Sequence, residues 1–489
     1  MIRTESTILL MALAVLCVCT GCSTSSLFVS YPKQINPLLQ DVRQGRALAP
    51  EAIPAGRIES ADRVLYLAER GRLQQVQGNH QGSIVDYREA IAAVAAAEQA
   101  ADVTVRGAGA QLGAVVVNDN VLPYRAASYE RVLLHHLQAL NYLMAGDTQA
   151  AAVEVRRAEF EQRQALDRHG REIAEARAEA SRNRLDLGQA EQRLNQAYAG
   201  LDEVAGKVKN SFQNAATFFV SGVIYELVGQ PNDAYIDYKK ALEIMPGNAV
   251  LQQDVLRLAR VTGITDDIES LRARHPTADL PPVPAGSGSL VVLVDDEFVP
   301  QKQSFKIPLP IISAGRYVGM VALAFPFYES AWHAPTPYAV EINGSRRGAT
   351  EVVCSTRALA ARALRERLPA MLLRQGARAA AKGIMAKELT DNFGPAAAFA
   401  TTILNYATEQ ADLRSWSSLP DNVQIARHVV AAGSARVALS HGSGPRVTVT
   451  VPVTDGGVTI LYARRAGGTL YVQPAAFGPG GVPLAAAGT

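Results

Sequence analysis

The chain has 489 residues, enough for two to four domains with full hydrophobic cores. Its formal net charge is +2 and 19% of its residues are charged, so the composition carries no electrostatic bias that would indicate a nucleic-acid partner. The hydrophobic content of 48% is ordinary for a folded, helix-rich protein.

The first residues have the pattern of a bacterial export signal. One cation precedes an unbroken apolar run over residues 8–18, far below the roughly 20 residues that span a bilayer. The two small residues before Cys22 resemble the lipobox of bacterial lipoproteins. The resemblance implies that residues 1–21 are removed and that Cys22 is acylated, and Ser23 resembles the residue that directs such proteins to the outer membrane. The alternative is a simple secretory signal cut nearby.

Cleavage at this point would leave Cys354 as the one cysteine without a lipid, which excludes an intramolecular disulfide. No later stretch reaches transmembrane length, so we expect membrane attachment to rest on the lipid. Residues 22–55 are polar and are predicted to form a tether that leads into the first domain.

Residues 56–270 have a helical pattern with an internal repeat. The clearest copy spaces its small and aromatic residues as a tetratricopeptide repeat does, at Phe218, Gly222, Tyr225, Gly229, Ala234, Tyr238, Ala241 and Pro246. Two further copies align on the turn glycines Gly78 and Gly146, whose separation is twice a repeat of roughly 34 residues. We therefore predict a tetratricopeptide-like α-solenoid; chance helical hairpins are the alternative.

An insertion over residues 159–212 interrupts this pattern. Apolar residues recur at every seventh position, at Leu166, Ile173, Ala180, Leu187, Leu194, Leu201 and Val208. This period predicts a coiled coil or a long helix packed along one seam, about 60 Å long at about 1.5 Å per residue. Gly170 and Gly188 could instead break it into a hairpin folded on the repeats, and the sequence leaves both arrangements open.

The second half of the chain follows a Pro/Gly/Ser-rich linker at 271–289. Strand and helix patterns then alternate over 290–420, and short alternating strands follow over 421–474. The predicted fold is multidomain α + β: the solenoid with its coiled-coil insertion, a mixed α/β region, and a small antiparallel β-sandwich. Residues 475–489 are Gly-, Ala- and Pro-rich and are predicted to be disordered.

Common catalytic and phosphate-binding motifs are absent from the sequence. The run Asp295, Asp296 and Glu297 follows a strand and could hold a divalent cation, although a solvated strand end explains it more simply. The adjacent pair His135 and His136 is interpreted as packing and surface residues. Cys354 is interpreted as a small buried apolar residue rather than a nucleophile.

The predicted helix over 355–389 is amphipathic and basic. Only Glu366 and Glu388 oppose its cations, which are Arg357, Arg362, Arg365, Arg367, Arg374, Arg378, Lys382 and Lys387. Such a helix can lie on anionic headgroups or on an acidic partner, although a solvated face on a packed helix is the simpler interpretation.

Several stretches resemble a group of Gram-negative outer-membrane lipoproteins with tetratricopeptide-like helices. They are residues 129–132 (YERV), 139–142 (ALNY), 153–157 (VEVRR), 408–416 (TEQADLRSW) and 419–420 (LP). The resemblance covers most of the mature chain. It implies a periplasm-facing, lipid-anchored protein and brings no catalytic residue with it.

These patterns lead to the hypothesis of a non-enzymatic envelope scaffold without a cofactor. A groove near Phe218, Ser221 and Tyr225 would bind partner proteins, and the coiled coil would extend reach or mediate self-association. The alternative is a membrane-active lipoprotein whose 355–420 helices associate with the outer membrane, and a cell-wall-acting enzyme is the third possibility. The identity of the partner cannot be predicted from the sequence.

Overall fold

The computed structural model describes residues 29–104, 120, 122–183, 188–278, 283–313, 316–329, 332–393 and 409–484. The predicted signal and Cys22 lie outside these residues. The described chain is mixed α and β, with a helical N-terminal region, as predicted.

The described helices are α1 (Tyr31–Arg43), α2 (Ala55–Ile58), α3 (Arg63–Val76), α4 (His80–Thr104), α5 (Ser128–Met144), α6 (Thr148–Asn183), α7 (Gly188–Ala205), α8 (Ala215–Leu227), α9 (Pro231–Ile244), α10 (Ala249–Thr262), α11 (Thr265–Arg274) and α12 (Thr356–Phe393). The strands are β1 (Ser287–Phe298), β2 (Gln303–Ser313), β3 (Arg316–Phe327), β4 (Tyr338–Ile342), β5 (Ser345–Ala349), β6 (Glu351–Ser355), β7 (Pro420–Ala431), β8 (Gly433–His441), β9 (Arg446–Val453), β10 (Val458–Ala466) and β11 (Thr469–Phe477).

Strand β1 lies at the centre of a five-stranded sheet with the order β11-β10-β1-β7-β6. It pairs in parallel with β10 and antiparallel with β7. Alternate side chains of β1 point to opposite faces: Leu290 and Val292 join the core shared with the four-stranded sheet β5-β4-β8-β9, whereas Val291 and Leu293 join the core shared with the helices. The molecule therefore has three layers, helices on a sheet on a second sheet.

The helices form antiparallel pairs joined by tight turns: α3 with α4, α5 with α6, and α8 with α9. The turn glycines Gly78, Gly146 and Gly229 have φ values of 88°, 83° and 73°, a left-handed conformation that glycine adopts without steric cost. Inside two of the pairs the helices approach closely, because a Cβ on Gly71 or Gly222 would lie 2.6 Å from the ring of Tyr87 or Tyr238.

The region predicted as a tether is folded over residues 31–43. Helix α1 buries Tyr31, Ile35, Leu39 and Val42 in the main core. The spacing of these four residues places them on one helical face, a pattern that the polar composition around them obscured.

The predicted insertion contains the end of α6 and the whole of α7. Leu194 and Leu201 of the seven-residue stripe are buried in the main core, and α7 lies against α12 and the β2-β3 hairpin. Tyr198 packs on Phe305 with ring centroids 5.7 Å apart, and Arg365 pairs with Asp202 at 2.8 Å. Residues 184–187, which decide between one long helix and a hairpin, lie outside the described residues.

The β region differs from the prediction at the expected domain boundary near residue 420 and in the C-terminal tail. Strand β7 begins at Pro420, where the boundary between two domains was expected, and pairs with both β1 and β6. Strands on either side of that boundary thus share one sheet. Phe477, in the tail predicted to be disordered, is buried and bridges to Pro483. Within the 355–420 region that was expected to hold helices, residues 409–413 are not helical and 394–408 lie outside the described residues.

Replacing Gly222 by alanine tests the close packing of α8 on α9. A methyl group 2.6 Å from the Tyr238 ring forces a backbone shift, and overpacking of this kind costs about 1–3 kcal/mol. We expect a lower midpoint of urea unfolding than in the wild type, despite the better helix propensity of alanine. Gly247→Ala is the control, since no heavy atom lies within 4 Å of the new methyl group. A Gly222→Ala protein as stable as this control would contradict the packing.

Candidate functional site at the helix–sheet interface

Three consecutive acidic residues at the end of β1 each pair with an arginine from a different part of the chain. Asp295 pairs with Arg72 of α3 at 2.8 Å, Asp296 with Arg465 of β10 at 2.5 Å, and Glu297 with Arg43 of α1 at 2.8 Å. Strand alternation turns Asp295 toward the helices and Asp296 toward the second sheet. We call these three carboxylates the acidic junction.

The pair Arg72 and Asp295 is the most deeply buried part of the acidic junction. Both side chains are at most 2% exposed. Arg72 also donates to the Tyr462 hydroxyl at 3.1 Å and to the Gln75 side-chain oxygen at 2.7 Å, while Tyr462 donates to Asp295 at 2.5 Å. Burial opposes the charge on Arg72, but Tyr462 and Asp295 hold its pKa above the ordinary value. Burial, with the charge of Asp295, raises the pKa of Tyr462.

Asp296 is held from the opposite side of the sheet. It accepts hydrogen bonds from Arg465, from the Tyr338 hydroxyl at 2.5 Å and from the Asn422 amide at 3.1 Å. Burial works to raise the pKa of Asp296, but these hydrogen bonds, that from Arg465 foremost, bring it below the ordinary value. The acidic run therefore differs from both sequence interpretations, because its carboxylates form ion pairs within the fold rather than a cation site or a solvated strand end.

Two glutamates on the helices hold the backbone of residues 412–419, a segment that is neither helix nor strand. Glu69 of α3 accepts from the backbone N–H groups of Ser417 at 2.6 Å and Ser418 at 3.0 Å. Glu130 of α5 accepts from the backbone N–H of Trp416 at 2.9 Å. We call Glu69 and Glu130 the carboxylate clamp.

The side chains of this segment are also held by the helices. Arg414 pairs with Asp62 at 2.6 Å and with Asp412 at 2.8 Å. Trp416 packs edge-on against Tyr87, with ring centroids 5.7 Å apart. The segment is therefore held by residues of α3, α4 and α5.

A second buried charge cluster joins α8 and α10 to β7. Arg427 of β7 contacts Glu226 at 2.9 Å and Asp254 at 3.0 Å, and Arg257 contacts the same two carboxylates at 2.7 Å each. Burial works to raise the pKa of Glu226, but the two arginines hold it well below the ordinary value.

The structure places the three residues expected to line a groove inside the α8-α9 pair. Phe218, Ser221 and Tyr225 are all buried. Lys240 lies over the Phe218 ring, Ser221 donates to Asp237 at 2.5 Å, and Arg156 lies 6.0 Å from the Tyr225 ring centroid.

Four of the eight cations in the basic stripe on α12 form ion pairs within the chain, and Arg367 is exposed. The ion pairs join Arg357 to Asp421, Arg362 to Glu366, Arg365 to Asp202 and Arg378 to Glu409. Arg374 is exposed, and the side chains of Lys382 and Lys387 are not among those that the structure describes.

The remaining candidate side chains are buried. His135 contacts Glu154 at 2.7 Å, while both ring nitrogens of buried His136 lack a partner among the described residues. Burial lowers the pKa of His136 to about 4 and raises that of the Cys354 thiol to about 12, so both groups are neutral near pH 7. Within the described ranges, no three His, Cys, Asp or Glu side chains are placed to hold a metal ion.

No protein-family model, curated protein or solved structure matches this chain. Among the described helices, none is both long and apolar enough to cross a membrane.

Glu69, Glu130 and Arg72 were not singled out from the sequence, and Asp295 was noted as part of the acidic run without its partner. A local signal was present on α3, where Glu69, Arg72 and Gln75 recur every three residues and are buried among apolar neighbours. On α5, Glu130 accepts from the backbone N–H of Ala127 at 2.7 Å, the helix-start contact of a capping box. Neither signal indicates which distant segment the side chain holds.

The clamp predicts a pH dependence of stability. Burial raises the pKa of Glu69 from 4.5 to about 7, although hydrogen bonds from Ser418 and Tyr31 oppose the shift. The folded chain thus keeps a proton on Glu69 that the unfolded chain loses above pH 4.5. This tighter proton binding stabilises the folded state, and the stabilisation is lost as the pH rises through 7. Relative to Glu69→Gln, the wild-type free energy of unfolding should fall by about 3 kcal/mol between pH 4.5 and 8. Urea unfolding across this range measures it, and a constant difference between the two proteins would contradict the assignment.

Proposed function

We propose that this chain is a non-enzymatic, lipid-anchored scaffold of the bacterial envelope that binds protein partners through tetratricopeptide-like repeats. The export pattern and the position of Cys22 support attachment by a lipid to the outer membrane, with the folded part facing the periplasm. No cofactor is part of the proposal.

A recurring register supports the repeat assignment. Eight residues after each turn glycine, a buried acid bonds to the first helix of its own pair: Asp86 to Arg70, Glu154 to His135, and Asp237 to Ser221. The small residue that precedes the glycine by seven positions is Gly71, Ala139 or Gly222. The three pairs therefore share the conformation of their turn and the polar contact between their two helices, as copies of one repeat do.

The main support for the scaffold proposal is that the buried acidic and basic side chains bond to other parts of the same chain. Glu69, Glu130, Arg72 and Asp295 each bond to another part of this chain. Such contacts hold the helices and sheets in one arrangement, which a scaffold needs in order to present a fixed surface. The internal ion pairs of α12 favour the scaffold over the membrane-active alternative, because four of its arginines are already neutralised by acids of the same chain.

The docking surface has to differ from the groove expected from the sequence. Residues of the first helices contact the sheet and residues 412–419, so a partner would meet the outer side of the second helices α4, α6 and α9.

The proposal is tested with the full-length chain expressed in intact Gram-negative bacteria. We expect the wild type to incorporate labelled palmitate, to fractionate with the outer membrane and to give reproducible crosslinks to envelope proteins. Cys22→Ser should lose the label and the membrane association. An unlabelled mature chain in the cytosol, or hydrolysis of purified peptidoglycan by the pure protein, would contradict the proposal.

A further inference from the structure

Each of the three helix pairs exposes an aliphatic side chain at the same place. The residues are Val85, Val153 and Ile236, each seven positions after its turn glycine and between 42% and 49% exposed. The next residue along each helix is the buried acid that bonds to the first helix of the pair. These contacts fix how the second helix is rotated, so the aliphatic residue is held on the solvent side.

Helix α6 extends this feature into a stripe. Val153, Arg156, Phe160 and Arg163 follow one another at spacings of three, four and three residues and are all exposed. Residues spaced in this way lie on one helical face. Phe160 is 52% exposed, a large apolar ring left in solvent beside two arginines.

Helix α9 exposes Ile236 at the equivalent position of its own pair. Lys240 pairs with Glu159 of α6 at 2.7 Å, and Ile236 lies one turn before Lys240 on α9. We call Val153, Arg156, Phe160, Arg163 and Ile236 the outer patch. Single exposed apolar residues are ordinary on protein surfaces, but apolar residues grouped on adjoining helices are typical of interaction sites.

Three arginines lie on the α6 side of the outer patch, whereas α9 exposes the acidic residue Asp233 one turn before Ile236. Arg156, Arg157 and Arg163 are exposed on α6. Arg157 contacts Glu154 and Arg163 contacts Glu159, yet the two arginine side chains are 54% and 68% exposed. Of these two acids, Glu154 is buried and Glu159 is also held by Lys240. A partner with carboxylates beside an apolar face would match this arrangement.

We infer that the outer patch is a docking surface for an acidic amphipathic helix of a partner protein. The apolar face of that helix would cover Phe160, Val153 and Ile236, and its acidic flanks would pair with the exposed arginines, a form of recognition in which one helix lies along a surface formed by others. The inference rests on the proposed scaffold function and specifies the class of partner.

The test measures binding of a fluorescent synthetic peptide, helical and amphipathic, with leucine on one face and glutamate on the other. The full mature chain should bind it at low salt, and binding should weaken as salt screens the arginines. Phe160→Ser should weaken binding about tenfold or more, as truncation of a central aromatic anchor does. A matched peptide with lysine in place of glutamate should not bind.

Val261→Ser is the control variant, because Val261 is 64% exposed on α10 and lies outside the outer patch; it should bind as the wild type does. Absence of binding to the acidic peptide, equal binding of the lysine peptide, or equal loss in the control would overturn the inference. The same Phe160→Ser variant separates the two proposals. If this variant retains its crosslinks to envelope proteins in cells, the scaffold proposal stands and the outer patch is not the docking surface. If the wild type gives no crosslinks at all, the scaffold proposal itself is contradicted.

Discussion

The buried ion pair between Arg72 and Asp295 is the contact on which the arrangement of helices and sheets depends. A charge taken out of water is strongly destabilising unless an opposite charge and hydrogen bonds surround it. Asp295 lies on the central strand of the five-stranded sheet, and Arg72 lies on the first helix of the first pair. Neither side chain can be satisfied unless the helical layer and the sheet meet in one register.

The next two residues, Asp296 and Glu297, likewise form ion pairs that join β1 to other elements. Asp296 joins the five-stranded sheet to the four-stranded sheet through Tyr338 of β4 and pairs with Arg465 within its own sheet, and Glu297 joins the sheet to α1 through Arg43. The carboxylate clamp then fixes residues 412–419 between the layers. Because the inner side of the helices is occupied in this way, the outer sides of the second helices become the surface from which the scaffold would act.

The sequence was informative where the relevant contacts are local. The turn glycines, small residues and aromatics of the helix pairs lie close together in the sequence, and their spacing predicted the helical N-terminal region that the structure has. The groove residues Phe218, Ser221 and Tyr225 were chosen by the same pattern, but whether a helix face is free depends on what packs on it. These three side chains contact Lys240 and Asp237 of α9 and Arg156 of α6, and spacing within α8 does not predict those contacts.

Helix α1 was missed for a different reason. Tyr31, Ile35, Leu39 and Val42 have helical spacing, but the polar residues between them and their position after the export signal favoured a tether. The acidic run at 295–297 suggested a possible cation site because carboxylate oxygens are ligands of divalent cations. Its partners in the fold are three arginines from three separate elements, and no pattern within the run predicts them.

Native-state hydrogen exchange in increasing denaturant is the most direct test of this account. If the acidic junction and the clamp join the layers into one cooperative unit, amides in α3, α5 and α8 and amides in β1, β7 and β10 will open with the same free energy. Arg72→Met will then lower protection in the helices and in the sheet together. Helices that open at a clearly lower free energy than the sheet, with Arg72→Met affecting only one of the two, would contradict the central claim.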